Sequence, residues 1–119
     1  MRDMEVSVRM LAGVDILEVS GMATVDGHQL LKRRFQAAVH RGRNQFILNL
    51  SHLVSVDSLT IGEMVACVKR ARERDGDVRL VVASGGAVHE ILQLTGLERI
   101  FRIYGDEFEA AASYSNGQT

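Results

Sequence analysis

Residues 46–64 read FILNLSHLVSVDSLTIGEM, and the fold turns on how this stretch divides. Phe46, Ile47, Leu48 and Leu50 make a short apolar run of the kind that forms a buried strand. A connection with its own hydrophobes, Leu53, Val54 and Val56, follows. Asp57 and Ser58 then stand directly before apolar residues at helical spacing: Ile61, Met64, Val65, Val68 and Ala71. Small polar side chains at such a junction satisfy the unpaired backbone N–H groups that open a helix. The stretch therefore reads as strand, loop and helix. The Ser58 hydroxyl is expected at the helix start, at the surface, beside a carboxylate. A hydroxyl so placed is either a plain cap or a switch.

Working outward from this unit, the helix closes in the charged run KRARERDG, with Gly76 as its stop. Val78, Leu80, Val81 and Val82 form the next strand. Ala87, Val88, Ile91, Leu92 and Thr95 form a helix that halts at Gly96. Ile103-Tyr104 reads as a short last strand and Glu107 to Ala112 as a short last helix. Upstream, Val6, Val8 and Met10 alternate with Glu5, Ser7 and Arg9, the period of a half-buried strand. A turn over Ala12 to Asp15 leads into a second strand with Ile16, Leu17 and Val19, and so short a connection makes the pair antiparallel. From Asp26 the period becomes helical, with Leu31, Phe35, Ala38 and Val39 on one face. Asp26 and Gln29 resemble a capping box there, and Gly42 ends the helix.

The order β-β-α-β-α-β-α-β-α predicts a single α/β domain over residues 1–114. Its sheet is mostly parallel with an antiparallel edge strand, and about four helices cover it. Residues 115–119, SNGQT, are expected to be a disordered tail. The Asp57-Ser58 loop follows the carboxyl end of a parallel strand, where open α/β sheets usually bind ligands and partners.

Composition narrows the function. A chain of 119 residues that is 46% hydrophobic can build a core without metal or disulfide staples. Its formal net charge of −1 points to no nucleic-acid partner. The arginine clusters (Arg33, Arg34, Arg41, Arg43; Lys69, Arg70, Arg72, Arg74) lack an aromatic platform for bases and read as solvated helix surface. One cysteine, Cys67, makes no internal disulfide and fits a reducing compartment. No signal peptide and no membrane span is evident, so the expectation is a cytoplasmic protein without membrane insertion. His28, His40, His52 and His89 are dispersed and give no metal-ligand spacing. His52 lies near Ser58 in sequence, but there is no nucleophile elbow and no acidic third member, which argues against an enzyme. Ser84-Gly85-Gly86 reads as a tight turn capping a helix rather than a phosphate loop, since neither glycine fingerprint is present. No cofactor and no metal are expected. From position alone, Ser58 is an N-cap or first-turn hydroxyl.

The segment from Phe46 onward resembles the STAS domain, the fold of bacterial anti-sigma factor antagonists. That family carries an apolar strand ending in Asp/Asn-Leu, a short loop, then Asp-Ser-Ser-Gly-Leu opening a helix. Leu48-Asn49-Leu50 and Val56-Asp57-Ser58 stand in the matching places. VRLVVASGGAVHEILQLTGLERIF resembles the family's fourth strand and third helix, closing on Leu94, Thr95, Gly96 and Leu97. The resemblance implies that Ser58 is phosphorylated by a partner, a GHKL-type serine kinase that is often also an anti-sigma factor. It further implies that Asp57 orients the loop and that Asn49 supports it from the strand end. Leu59, Gly62 and Glu63 would form the docking patch with Asp57 and Ser58. The family's second serine is Leu59 here, its glycine is Thr60 and its leucine Ile61. These departures resemble stressosome scaffold subunits, which self-assemble with other STAS proteins, and they make Thr60 a secondary acceptor. A third implied role is an accessory STAS subunit of a membrane transporter.

Overall fold

Alternation with period two and apolar spacing with period 3.6 resolve into one five-stranded sheet with helices on both faces. The computed structural model describes residues 3–115. Its strands are β1 (Glu5–Leu11), β2 (Val14–Gly21), β3 (Gln45–Leu53), β4 (Asp77–Val81) and β5 (Ile103–Tyr104). Its helices are α1 (Val25–His40), α2 (Ser58–Arg72), α3 (Ala87–Thr95) and α4 (Glu107–Ser115), with a 3-10 turn over Leu97–Arg99. The sheet order is β1-β2-β3-β4-β5. β1 lies antiparallel to β2, and the other neighbours are parallel, as the element order requires.

The β1–β2 turn is tighter than expected. Only Ala12 and Gly13 connect the strands, both with positive φ (53° and 79°), the backbone of a type I′ hairpin. Gly13 adopts this freely, whereas Ala12 is an uncommon residue there. β3 also runs further than expected, through His52 to Leu53, so the loop before α2 begins only at Val54. The cap of α1 is Thr24, whose Oγ1 accepts from the Gly27 N–H at 3.0 Å. Asp26 instead stands in the first turn, where a carboxylate suits the helix dipole. α4 continues past Ala112 to Ser115, so the expected tail reduces to residues 116–119, which lie outside the described residues.

The register assigns the faces. Leu17, Leu48 and Leu80 are successive partners across β2, β3 and β4 and look toward α1, α2 and α3. That side holds the main core, with Leu31, Phe35, Phe46, Met64, Val68 and Leu92. The other side is smaller: Val14, Ile16, Ile47 and Val81 meet Ala110 and Ala111 of α4. β1 departs from the half-buried reading. Val6 packs on the core, yet Val8 is 38% and Met10 58% exposed, because α1 covers this outer strand only as far as Val6. Phe35, Phe46 and Phe101 are buried, whereas Phe108 is exposed.

Candidate functional site

The β3–α2 junction brings together most of the residues picked out by the sequence. Asp57 is the N-cap of α2 in extended backbone (φ −123°, ψ 173°), and Ser58 is the first helical residue. Asp57 Oδ1 accepts from the Thr60 backbone N–H at 2.7 Å and from the Thr60 hydroxyl at 2.6 Å. Those two bonds, the hydroxyl foremost, hold the Asp57 carboxyl below its ordinary range. The cap is therefore a carboxylate held in place through Oδ1, which is turned inward along the helix.

Ser58 and Thr60 separate sharply. Thr60 is fully buried, and its hydroxyl is committed to Asp57. Ser58 is exposed, and among the described residues no group hydrogen-bonds its hydroxyl. Thr60 therefore does not offer the accessible hydroxyl that a secondary acceptor needs, since reaching it would unwind the first turn of α2. The sequence does carry the signal for its cap role, because the third residue after an N-cap is where a reciprocal partner sits.

Around the hydroxyl, Leu59 is 54% exposed, Gly62 is exposed with open space where a Cβ would stand, and Glu63 is half-buried. Glu63 Oε1 lies 3.8 Å from Sγ of buried Cys67, whose thiol is pushed up in pKa chiefly by that burial. Two further exposed apolar residues, Val54 and Val25, stand at the same end. The segments that carry them are joined by two hydrogen bonds: the Val54 N–H donates to Gly21 O at 2.8 Å, and the Ala23 N–H donates to Ser55 Oγ at 3.1 Å. The loop is thus braced from the β2–α1 segment, a support that sequence reading missed because it joins residues far apart in the chain.

Asn49 plays a different part from the loop support expected of it. Its side chain lies on the α4 face, where Oδ1 accepts from the Ser51 N–H and hydroxyl at 3.0 and 2.7 Å. Its Nδ2 donates to Glu107 Oε2 at 2.6 Å. Arg9 donates to the same Glu107 oxygen, and together they lower the Glu107 pKa, Arg9 contributing most. The even parity that sends Leu48 and Leu50 to one side of β3 sends Asn49 to the other. His52 is also drawn to that side, with Nε2 3.6 Å from Glu18 Oε2, and it makes no hydrogen bond to Ser58.

At the head of α3, Gly86 is the N-cap without a side-chain bond, and the Gly85 N–H donates to His89 Nδ1 at 3.0 Å. That is a strand-to-helix turn with one of its amides already used. Among the described residues, no three His, Cys, Asp or Glu side chains converge as a metal site. No helix of the described residues is long and apolar enough to cross a membrane.

Comparison with known proteins agrees with this architecture. The family model described as Mlab, STAS domain matches residues 6–103. A Thermotoga maritima protein named among the anti-sigma factor antagonists is 33% identical over 85 residues, 71% of this chain and 74% of its own. The crystal structure of an anti-sigma factor antagonist from Mycobacterium paratuberculosis superposes with a TM-score of 0.82 at 22% identity, covering 92% of both chains. SpoIIAA of Bacillus, solved in its phosphorylated form, superposes with a TM-score of 0.72 at 16% identity, covering 92% of this chain and 99% of its own. These two likenesses are of fold, whereas the family model and the Thermotoga relative extend to sequence. The chain belongs to the STAS-domain family of anti-sigma factor antagonists.

Proposed function

We propose that this protein is a non-enzymatic, cytoplasmic regulator that binds an anti-sigma factor of the GHKL serine-kinase type and is released from it by phosphorylation of Ser58. One observation carries the reading: of the two hydroxyls opening α2, Thr60 is locked to Asp57 and Ser58 is exposed and unbonded among the described residues. A helix N-terminus tolerates added negative charge, because its free N–H groups and dipole favour anions. A phosphate there brings about −1.5 to −2 charge at neutral pH. It also stands beside the Asp57 carboxylate and next to exposed Leu59, on the loop that carries exposed Val54. A partner that desolvates those apolar residues would then have to bury a hydrated dianion. The fold persists and the interface fails, which is the behaviour of a binding switch. Asp57, Ser58, Leu59, Gly62 and Glu63 form the docking surface in this reading, with Leu59 as its apolar anchor. The existence of SpoIIAA in a phosphorylated form supports the chemistry on this fold.

The test is affinity capture from native cell lysate with wild type, Ser58→Asp and Ser58→Ala as parallel baits, the bound proteins being identified by mass spectrometry. A GHKL-type kinase held by wild type and Ser58→Ala but lost with Ser58→Asp is expected. The captured kinase with ATP should place phosphate on the Ser58 peptide of wild type alone. Equal capture by all three baits would overturn the switch. Capture of other STAS proteins, or of a transporter ATPase or permease, in place of a kinase would assign the scaffold or accessory role instead.

A further inference from the structure

The outer edge of β1 has no strand beside it among the described residues. Ala12 and Gly13 form a two-residue turn, so Leu11 and Val14 are the hydrogen-bonded pair that closes the hairpin. Hydrogen-bonded and non-bonded pairs alternate along an antiparallel ladder. The backbone groups of Glu5, Ser7, Arg9 and Leu11 therefore point at β2, and those of Val6, Val8 and Met10 point away from the sheet. The seven-residue strand pairs with β2 without a register shift, and no proline, lysine or bulge blocks its edge. Val6, Val8 and Met10 also share one face, on which Val8 and Met10 are left exposed. Near the other end of the strand is a hollow of about 500 Å³ lined by Met4, Val6, Ser7, Glu18, Ser20 and Leu30, among others.

We infer that β1 pairs antiparallel with β1 of a second copy of this chain, about a two-fold axis through Ser7. The occupant follows from the self-complementarity of the edge. With Ser7 on the axis, Val6 faces the copy's Val8 and Val8 faces the copy's Val6, and each pair exchanges two N–H···O bonds through backbone groups that point outward. On the opposite face, Glu5 stands across from the copy's Arg9 and Arg9 across from the copy's Glu5, which places opposite charges across the strands twice, beside the bonds that Arg9 keeps to its own Glu18 and Glu107. Met10 of each chain comes beside the other's Met4, which lines the hollow, so knob and hole are both supplied by one surface. This is an isologous contact that closes on itself as a dimer and does not propagate. The two five-stranded sheets become one continuous sheet. The interface uses neither Asp57 nor Ser58, so it stands independently of the switch.

Sedimentation equilibrium of the full chain, with cysteine cross-linking, tests the proposal. Wild type is expected to sediment as a dimer at high micromolar concentration. A non-hydrogen-bonded antiparallel pair brings its Cα atoms to about 4.5 Å, within disulfide range. Ser7→Cys should accordingly oxidise to a covalent dimer, while Val8→Cys, off the axis, should not. Cys67 is buried and serves as the unreactive background. Val8→Pro removes only an outward N–H and leaves the hairpin bonds intact, so it should keep the native circular dichroism and sediment as a monomer. A monomeric wild type, a Val8→Pro variant that associates like wild type, or cross-linking of Val8→Cys in preference to Ser7→Cys would each overturn it.

Discussion

The two faces of the sheet are held by different physics. Against α1, α2 and α3 the contacts are aliphatic and aromatic: Leu80 belongs to one continuous core with Leu92, Met64 and Phe35. Beneath α4 the next residue along β4 is Arg79, fully buried. Its guanidinium donates to Asp77 Oδ2 at 3.2 Å and to Ser113 Oγ at 2.7 Å, and it lies 3.8 Å from the centre of the Tyr114 ring. The Tyr114 hydroxyl bonds Phe46 O at 2.7 Å and Asp77 O at 2.8 Å, and burial pushes its pKa well up. The reason lies in area. A nine-residue helix whose buried apolar residues are Ala110 and Ala111 removes little apolar surface from water, so directional bonds must position it. Non-directional burial fixes three helices; a polar lock fixes the fourth.

The comparison is broken most directly at Arg79. Arg79→Ala should cost about 3–5 kcal/mol in urea unfolding, because it opens a buried cavity and leaves the Asp77 carboxylate with Arg72 alone, whose Nε donates to Oδ1 at 3.0 Å. A double variant, Arg79→Met with Asp77→Asn, should recover part of that loss, since no uncompensated charge remains. Leu80→Ala, one residue away on the other face, should cost about 2–5 kcal/mol through its cavity, with no neutralising second change able to restore it. Equal rescue at both sites would show that the two faces do not differ in kind.

Smaller changes sharpen the contrast. Tyr114→Phe keeps the ring and loses the hydroxyl, and should cost about 1–3 kcal/mol. At the site end, Asp57→Ala should lose about 1 kcal/mol from the α2 cap. Acid titration adds a sign to these statements. Asp57 and Glu107 both lie below their ordinary values of 3.8 and 4.5 in the folded chain. The stability they add is complete above roughly pH 5 and is lost as pH falls through the lowered values. Asp57→Asn and Glu107→Gln should each flatten the acid limb of a melting-temperature profile. Smallest of all, Ser58→Ala should change stability by no more than about 0.5 kcal/mol, because the hydroxyl is exposed and unbonded. A larger loss there would make Ser58 a structural cap rather than a switch.

Much of this was legible without coordinates. Helical spacing put Leu31, Phe35, Met64, Val68 and Leu92 on apolar faces, and all are buried, whereas Ile61, Val65 and Ile91 of the same pattern are half-buried and Ala87 and Thr95 exposed. Asp57-Ser58 announced the start of α2 through capping chemistry, and Gly96 announced the end of α3, where it takes positive φ (75°). These are local signals, carried by residues within a turn or two of one another. The site was half legible. The exposed serine followed from position, but its distinction from Thr60 did not, since both hydroxyls stand in the first turn and only packing reveals which is buried.

What the sequence determined by itself, then, is the order of elements, their periods and the helix ends, because each depends on neighbours along the chain. The tertiary structure alone decided what depends on residues far apart. It turned Asn49 away from the β3–α2 loop and toward Glu107 across 58 positions. It buried Arg79 against Ser113 across 34. It also left Val8 and Met10 uncovered, although their alternation is the same as that of a buried strand. Periodicity states which side chains share a face; only the placement of other elements states what, if anything, covers it.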